Sequence, residues 1–264
     1  MIKKILKMTK HYKGLLLSPP NTNYKAKKNL GLNVHTYFLS LAPSDISGFN
    51  VCPVANKITE NEQSEKKSNC SSVCVAFNGN GNYPNVIKSR INKTKRFFQD
   101  RENFLNDLIL DIFKAVEYST FYGFVPTFRL NAYSDIKWEN VRIKSFGNCT
   151  IFELFPDVTF YDYTKHTNRK TPKNYHLTYS HWGKWSQTEN QIKQGQNIAM
   201  VFNVKTAEKM PKMFKGLKVV DGDKTDLRTP KNDGINSIVG LRAKMSKANI
   251  ENELKKNVSF VVAV

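Results

Sequence analysis

The chain has 264 residues, a hydrophobic content of 40% and a formal net charge of +19. Its length allows one large domain or two small ones, and its apolar content is sufficient for a sizeable core. No apolar run is long enough to cross a bilayer, and the apolar patch at 15–17 is too short for a signal peptide. We therefore expect a cytoplasmic protein with no membrane partner.

The positive charge has two interpretations. Lysine and arginine total 41 residues against 22 aspartates and glutamates, and such an excess favours DNA or RNA as a partner through counterion release. The alternative is a composition rich in Asn and Lys, in which most lysines are only solvated. The lysines are scattered along the chain, with local concentrations at 2–13, 24–28 and 205–218.

The chain before Pro84 divides into three parts. Residues 1–33 are basic and lack periodicity, which predicts an irregular basic N-terminal arm. Residues 34–41 are rich in aromatic and β-branched side chains and are predicted to form a strand. They begin the main domain, 34–264, which carries a polar insertion at 42–83 that contains three of the four cysteines.

Helical and strand-like patterns alternate through the rest of the chain. A helical period near 3.6 begins at Pro84, and the polar joint at 99–101 predicts either two helices or one bent helix, with Asp100 as an N-cap. Further strands are predicted at 125–132, 158–164, 175–180, 197–204, 217–222, 237–244 and 258–264. Further helices are predicted at 136–155, 189–194, 207–214 and 246–255.

This alternation of apolar strands with helices argues for a parallel sheet covered by helices. Polar residues follow several strands, and in a barrel the C-terminal strand ends form the functional face. We therefore expect an α/β fold, a (β/α) barrel that is complete or partial and TIM-like, rather than an open doubly wound sheet. No G-x-G-x-x-G or P-loop is present, so dinucleotide and NTPase functions are unsupported.

The cysteines of the insertion have the spacing C-x17-C-x3-C, at Cys52, Cys70 and Cys74. In a reducing cytosol, clustered cysteines are more often ligands or catalysts than disulfides. Three thiolates suit a [4Fe–4S] cluster, and they also suit zinc with one further ligand. Candidates for that ligand are His35, His181 and Cys149. Reduced cysteines with a structural role are the third alternative.

Polar side chains at the predicted strand ends are the other candidate site. Strand alternation turns Arg129 and Asn131 to one face, and a buried guanidinium there requires an anion from a neighbouring aspartate or a ligand. A purely structural Arg–Asp pair is the alternative. The candidate catalytic residues are Arg129, Asp135, Asp162, Lys165 and His181. The candidate cofactor-binding residues are Asn131, Ser134, Thr178 and Ser180.

Two further segments bear on a nucleic-acid partner. The segment 221–228, DGDKTDLR, lacks the full calcium-loop pattern and is predicted to be a turn after a strand. Arg228, Arg242 and Lys244 add positive charge near the strand ends. The run TKRFF at 94–98 resembles a base-stacking segment, but its helical period places Phe97 and Phe98 in the core.

Several of these segments together resemble a known family. The cysteines with Ala76, RLNAYSD at 129–135, FYDYTK at 160–165 and NYHLTYS at 174–180 are similar to an uncharacterised family of phage- and plasmid-encoded proteins, the gene-product-eighty-eight family. The resemblance covers about residues 36–245. That family in turn looks like a distant relative of the radical SAM barrels, whose three cysteines hold a [4Fe–4S] cluster that chelates S-adenosylmethionine. The usual C-x3-C-x2-C spacing and a Gly-Gly-Glu segment are absent here.

The sequence thus leads to two hypotheses from different classes. The first is a phage-type iron–sulfur protein on a radical SAM-like barrel. Its cluster either acts on a small anionic ligand or nucleotide or is a structural and redox element, and the resemblance implies S-adenosylmethionine as a further cofactor. The second is a nucleic-acid-binding protein in which a cluster or zinc ion has only a structural role.

Overall fold

The computed structural model describes residues 15–22, 24–54, 74, 76, 79–205, 208–244, 247–255 and 259–264. The helices in this part of the chain are α1 (Tyr24–Lys27), α2 (Ser44–Ser47), α3 (Pro84–Gln99), α4 (Arg101–Phe121), α5 (Ile151–Leu154), α6 (Trp185–Lys193), α7 (Pro230–Asp233) and α8 (Lys247–Leu254). The strands are β1 (Leu17–Ser18), β2 (Val34–Leu39), β3 (Val125–Arg129), β4 (Thr159–Thr164), β5 (Tyr175–Ser180), β6 (Ile198–Phe202), β7 (Met213–Phe214), β8 (Leu217–Asp221), β9 (Ile238–Arg242) and β10 (Val261–Val262).

The chain divides into two compact units. Unit 1 comprises Met1–Val51, Ala76–Asp162 and Lys170–Tyr175, and unit 2 comprises Cys52–Val75, Tyr163–Arg169 and His176–Val264. The division falls within β4 and β5, so each of these strands contributes residues to both units. The prediction of one main domain at 34–264 stays a prediction.

Unit 1 contains a short parallel ladder with one antiparallel edge. β2 pairs with β3 in parallel from Val34↔Val125 to Phe38↔Arg129, and β3 pairs with β4 in parallel. β1 pairs with β2 in the antiparallel direction. Fully buried aromatic side chains of β2, β3 and β4, namely Phe38, Phe128 and Phe160, lie in its core. Near-continuous apolar strands predict such burial on both faces.

Unit 2 is organised around β6. This strand pairs in parallel with β5, β9 and β10, and β8 pairs in parallel with β9. Two residues, Lys215 and Gly216, join β7 to β8 in an antiparallel hairpin, and both have positive φ angles of 48° and 77°. Such a two-residue turn requires positive φ at both positions. The unit's core cluster is built from Tyr179, Trp182, Ile198, Met200, Phe202, Val204, Val219 and Ile238.

The predicted barrel is wrong. The strand order is β1-β2-β3-β4-β5-β6-β9-β8-β7, with β10 beside β6, and among the described residues no pairing joins β1 to β7. A barrel requires its first and last strands to hydrogen-bond, whereas this mostly parallel sheet ends at two strands of two residues each. The predicted mixed α/β class with a mainly parallel sheet is confirmed. The predicted irregular arm also contains β1 and α1 within its described residues.

Helices α3 and α4 form an antiparallel pair in unit 1. Arg96 Nη2 donates to Asp107 Oδ2 at 2.5 Å, and the charge of Lys93 interacts with that of Asp111. Moving back along α3 therefore corresponds to moving forward along α4. The chain breaks between them at Asp100, which has non-helical φ and ψ angles of −134° and 49° and whose side chain makes no cap hydrogen bond. The prediction of two helices is thus confirmed, and Asp100 occupies the predicted N-cap position of α4 without a side-chain cap hydrogen bond.

Candidate functional site

Within the polar insertion, the residues just before Cys52 and just after Cys74 are held in unit 1. Asp135 N donates to Val51 O at 2.8 Å, just before Cys52. Buried Arg90 donates from Nη1 to Ala76 O at 2.7 Å, just after Cys74, and its guanidinium lies 4.4 Å from the centre of the Tyr133 ring. Val51 and Ala76 are therefore both fixed near the turn that follows β3. Cys70 lies outside the described residues.

The iron–sulfur prediction is wrong. Among the residues that the structure describes, no group of three or more His, Cys, Asp and Glu side chains is placed to hold a metal ion. Two of the proposed zinc ligands have other contacts. His35 lies 3.8 Å from the Phe124 ring, centroid to centroid, and its Nδ1 lies 3.1 Å from Ser119 Oγ. Without a barrel or a cluster, the radical SAM-like assignment has no structural support.

His181 is also engaged through both of its ring nitrogens. Its Nδ1 lies 2.7 Å from Thr188 Oγ1, and Gly183 N donates to its Nε2 at 3.2 Å. Because Nε2 accepts, Nδ1 carries the proton. Burial, reinforced by the positive charges of Lys165 and Lys215, lowers the pKa of His181 to about 4. The side chain is therefore neutral at physiological pH, and its catalytic role stays a prediction.

The strand-end residues of unit 1 form one buried network around Asp162. This carboxylate accepts hydrogen bonds from Leu130 N, Asn131 N and Tyr175 Oη at 3.2, 2.9 and 3.1 Å. Arg129 Nε lies 3.9 Å from Asp162 Oδ1. The anion that the buried Arg129 requires is thus Asp162.

Asn131 organises the turn after β3 in the same unit. Its Oδ1 accepts from Ser134 Oγ, Ile136 N and Trp138 Nε1 at 2.8 to 3.1 Å, and its Nδ2 donates to Ile136 O. Asn131 is 3% exposed, so these bonds satisfy an amide that would otherwise be costly to bury. Cofactor binding by Asn131 and Ser134 stays a prediction, as does catalysis by Asp135.

In unit 2, the structure brings together two of the candidate residues, Lys165 and Ser180. Lys165 Nζ donates to Ser180 Oγ at 2.9 Å and lies 5.3 Å from the centre of the Phe260 ring. Thr178 is buried two residues earlier in β5. Ligand contacts by Lys165, Thr178 and Ser180 stay predictions.

The arginines of unit 2 that add positive charge are neutralised by aspartates. Arg242 forms a two-bond pair with Asp221, at 2.8 and 3.1 Å, and its Nη1 lies 3.4 Å from Asp223. The hydrogen bond to Asp221 raises the pKa of Arg242. Arg228, which is 2% exposed, pairs with Asp233 at 2.9 Å and also donates to Gly222 O and Thr225 O. These guanidinium groups stabilise the unit.

Helix α3 is different because two of its cations, Lys88 and Lys95, face solvent. The sequence PNVIKSRINKTKRFFQ places proline at the first helical position, where it is favoured. The helix contains five lysines and arginines and no acidic residue. Five of its exposed side chains form what we call the α3 face: Asn85, Lys88, Ser89, Asn92 and Lys95. Neither Lys88 nor Lys95 forms an ion pair with any residue in the described part of the chain.

A groove of about 480 Å³ runs beside this helix. Its lining contains no acidic residue and consists of Leu15, Leu16, Asn85, Lys88, Ser89, Asn92, Lys93 and Arg96. We call it the α3 groove. Lys93 Nζ donates to Leu16 O at 2.7 Å, and Asp111 accepts from the backbone N of Leu17 at 3.1 Å. The segment 15–17 is therefore attached by hydrogen bonds to α3 on one side and to α4 on the other.

The α3 face is not among the sites predicted from the sequence. The helical period predicts α3 itself, and the charges at its polar positions carry the further signal. Lys88, Asn92 and Lys95 recur at spacings of three and four, which places them on one side of a helix. This pattern, together with the lack of any acid in α3, is the signal that could have identified the surface.

The family of the chain follows from comparison with known proteins. A family model described as Gene product 88 matches residues 10–257. No curated protein and no solved structure matches the chain. None of the helices in the described ranges is long and apolar enough to span a membrane.

Proposed function

The chain belongs to the Gene product 88 family, and we propose that its function is to bind nucleic acid through the α3 face. The observation that carries this proposal is the acid-free helix α3, whose exposed lysines have no ion-pair partner in the described residues. The net charge of +19 supports a polyanionic partner. In this proposal the protein acts in the cytoplasm of a bacterial host.

The chemistry of the α3 face suits phosphate. Lysine ammonium groups neutralise phosphate charges and release condensed counterions, which gives affinity without sequence preference. Serine hydroxyls and asparagine amides commonly donate hydrogen bonds to phosphate oxygens. Lys88, Ser89 and Asn92 supply all three groups within two helical turns. By contrast, Arg228 and Arg242 form ion pairs with aspartates, which neutralise most of the positive charge that a partner would meet there.

The test compares two variants with the same change in net charge. Lys88→Gln with Lys95→Gln alters the α3 face, whereas Lys193→Gln with Lys231→Gln alters exposed lysines of unit 2. Binding of a labelled oligonucleotide is followed by fluorescence anisotropy at several salt concentrations. We expect the first variant to reduce the slope of log K against log [salt] by about 1.5, since each phosphate contact contributes roughly 0.7–0.9.

The control variant is expected to bind like the wild type. Equal losses in both variants would show that binding follows net charge alone, and would contradict a site on α3. Absence of binding at low salt would overturn the proposed function itself.

A further inference from the structure

The last turn of α4 carries an exposed aromatic patch, formed by Tyr118, Phe121 and Tyr122. Their exposed fractions are 54%, 81% and 56%. The ring centroids of Tyr118 and Tyr122 are 4.7 Å apart, and those of Phe121 and Tyr122 are 5.0 Å apart. Adjacent exposed rings of this kind mark an interaction site more often than an ordinary surface.

The aromatic patch is supported from within unit 1. His35, which is buried, lies parallel to Tyr118 at a ring distance of 6.0 Å, and it stacks on Phe124 at 3.8 Å. Its ring is fixed by the contact between Nδ1 and Ser119 Oγ at 3.1 Å. A supported ring loses little conformational freedom when a partner binds, so the patch is suited to stacking.

The antiparallel pairing of α3 and α4 relates the aromatic patch to the α3 face. Arg96 contacts Asp107, eleven residues later, and Lys93 interacts with Asp111, eighteen residues later. The two helices therefore run in opposite directions. Continuing this register, the first turns of α3, with Asn85 and Lys88, lie toward the same end of the helix pair as the last turn of α4. Cationic and aromatic side chains are therefore offered at one end of unit 1.

We propose that the aromatic patch stacks on unpaired bases, so that the nucleic acid bound by this protein is single-stranded. This inference rests on the proposed function of the α3 face. Every base has a π-face, and stacking on aromatic side chains combined with lysine contacts to the backbone is how single strands are bound without sequence preference. In a duplex, the base faces are covered by neighbouring base pairs and are not available to such rings.

Charge favours this occupant over a protein partner. The α3 face, which begins at the same end of the helix pair, offers ammonium and amide groups but no carboxylate, so a partner that spans both surfaces must carry negative charge. A single strand supplies phosphates for Lys88 and bases for the rings of Phe121 and Tyr122. A second copy of this chain carries the same charge of +19 and offers no such complement to the lysines.

The experiment measures three probes of equal length: a single-stranded oligonucleotide, the same sequence in a duplex, and a single strand with abasic sites throughout. The variant is Phe121→Ser with Tyr122→Ser, and the matched control is Ile235→Ser, which changes another exposed apolar side chain at 73% exposure. We expect the variant to bind the single strand about 10- to 100-fold more weakly, and the abasic probe as tightly as the wild type does. The control is expected to match the wild type with every probe.

Several results would overturn the inference. Equal affinity of the wild type for duplex and single strand would do so, as would an equal loss for the intact and abasic probes. If the wild type sediments as a dimer and the variant as a monomer, the aromatic patch is a protein interface. Binding that depends on Lys88 and Lys95 but not on the rings would remove this inference and leave the proposed function standing. Failure of every probe to bind would remove both.

Discussion

The α3 face and the arginine sites of unit 2 use positive charge in opposite ways. On α3, Lys88 and Lys95 project into solvent with no ion-pair partner in the described residues. In unit 2, Arg242 forms ion pairs with Asp221 and Asp223, and the buried Arg228 forms an ion pair with Asp233. A formal charge of +19 treats these cations alike. The structure separates charge that holds the fold from charge that remains available to a partner.

The separation follows from burial. A buried guanidinium must be matched by an anion and by hydrogen bonds, because an isolated charge is strongly disfavoured in the interior. An exposed ammonium is already solvated and needs no partner. Consequently the same residue type contributes to folding at one place and to binding at another, and the two contributions can be measured independently.

The largest expected effect is the loss of stability when the buried pair of Arg228 and Asp233 is broken. Replacing Arg228 with Met removes the cationic partner of Asp233 and leaves a buried carboxylate to which, in the described part of the chain, only the Asn232 amide donates, so the free energy of unfolding should fall by about 3–5 kcal/mol. Urea unfolding followed by circular dichroism measures this loss. A loss below about 1 kcal/mol would show that Asp233 is matched by other groups and that the contrast with α3 is overstated.

An intermediate effect is expected where burial, reinforced by nearby cations, lowers the pKa of a titratable group. The pKa of His181 is lowered to about 4 in the folded protein, against an ordinary value of 6.5. Between these values the unfolded chain binds one more proton than the folded chain, so stability is lost as pH falls from about 6.5 to 4. The full contribution is of order 3 kcal/mol.

The measurement is the unfolding free energy at pH 7.5 and at pH 4.5, in the wild type and in His181→Gln. The difference between the two proteins isolates this residue, since burial also lowers the pKa values of His35 and His176. Lys215→Gln should reduce the wild-type pH dependence, because Lys215 is one of the two lysines that act on His181. An unchanged pH dependence in His181→Gln would contradict the assignment.

The smallest expected effect is the change in the protein's free energy of unfolding when the lysines of the α3 face are replaced. Lys88→Gln with Lys95→Gln should change the free energy of unfolding by no more than about 0.5 kcal/mol, as is usual for exposed substitutions. Thermal and urea unfolding of this variant beside Arg228→Met would give the two extremes of the comparison. A loss above about 1 kcal/mol would mean that these lysines have structural partners after all.

Local features of the fold could be predicted from the sequence. The strand at 175–180 is confirmed residue for residue, and the two helices after Pro84 follow from their 3.6-residue period. The segment 207–214 was predicted as a helix, but its described end forms β7. Lys215 and Gly216 adopt positive φ angles that reverse the chain there, and lysine carries no local signal for such a turn.

The predicted barrel failed on a contact between distant residues. Closure of a sheet depends on whether its end strands meet, and β1 and β7, with two residues each, are too short to show a period in sequence. The hydrogen bonds of Asn131 to Ile136 and Trp138 could not be predicted either, because they depend on the exact path of a turn. The placement of Arg129 beside Asp162 was among the predicted possibilities because a buried cation restricts its neighbours to few choices.

The open end of the sheet at β7 has a consequence for solution behaviour. An unpaired edge strand is a template on which another chain can add, and natural proteins protect such edges with short strands and lysines. β7 has only two residues, and exposed lysines lie just before it, in the turn and in β8, at Lys212, Lys215 and Lys218. We therefore expect these lysines to oppose the pairing of this edge with another copy of the chain.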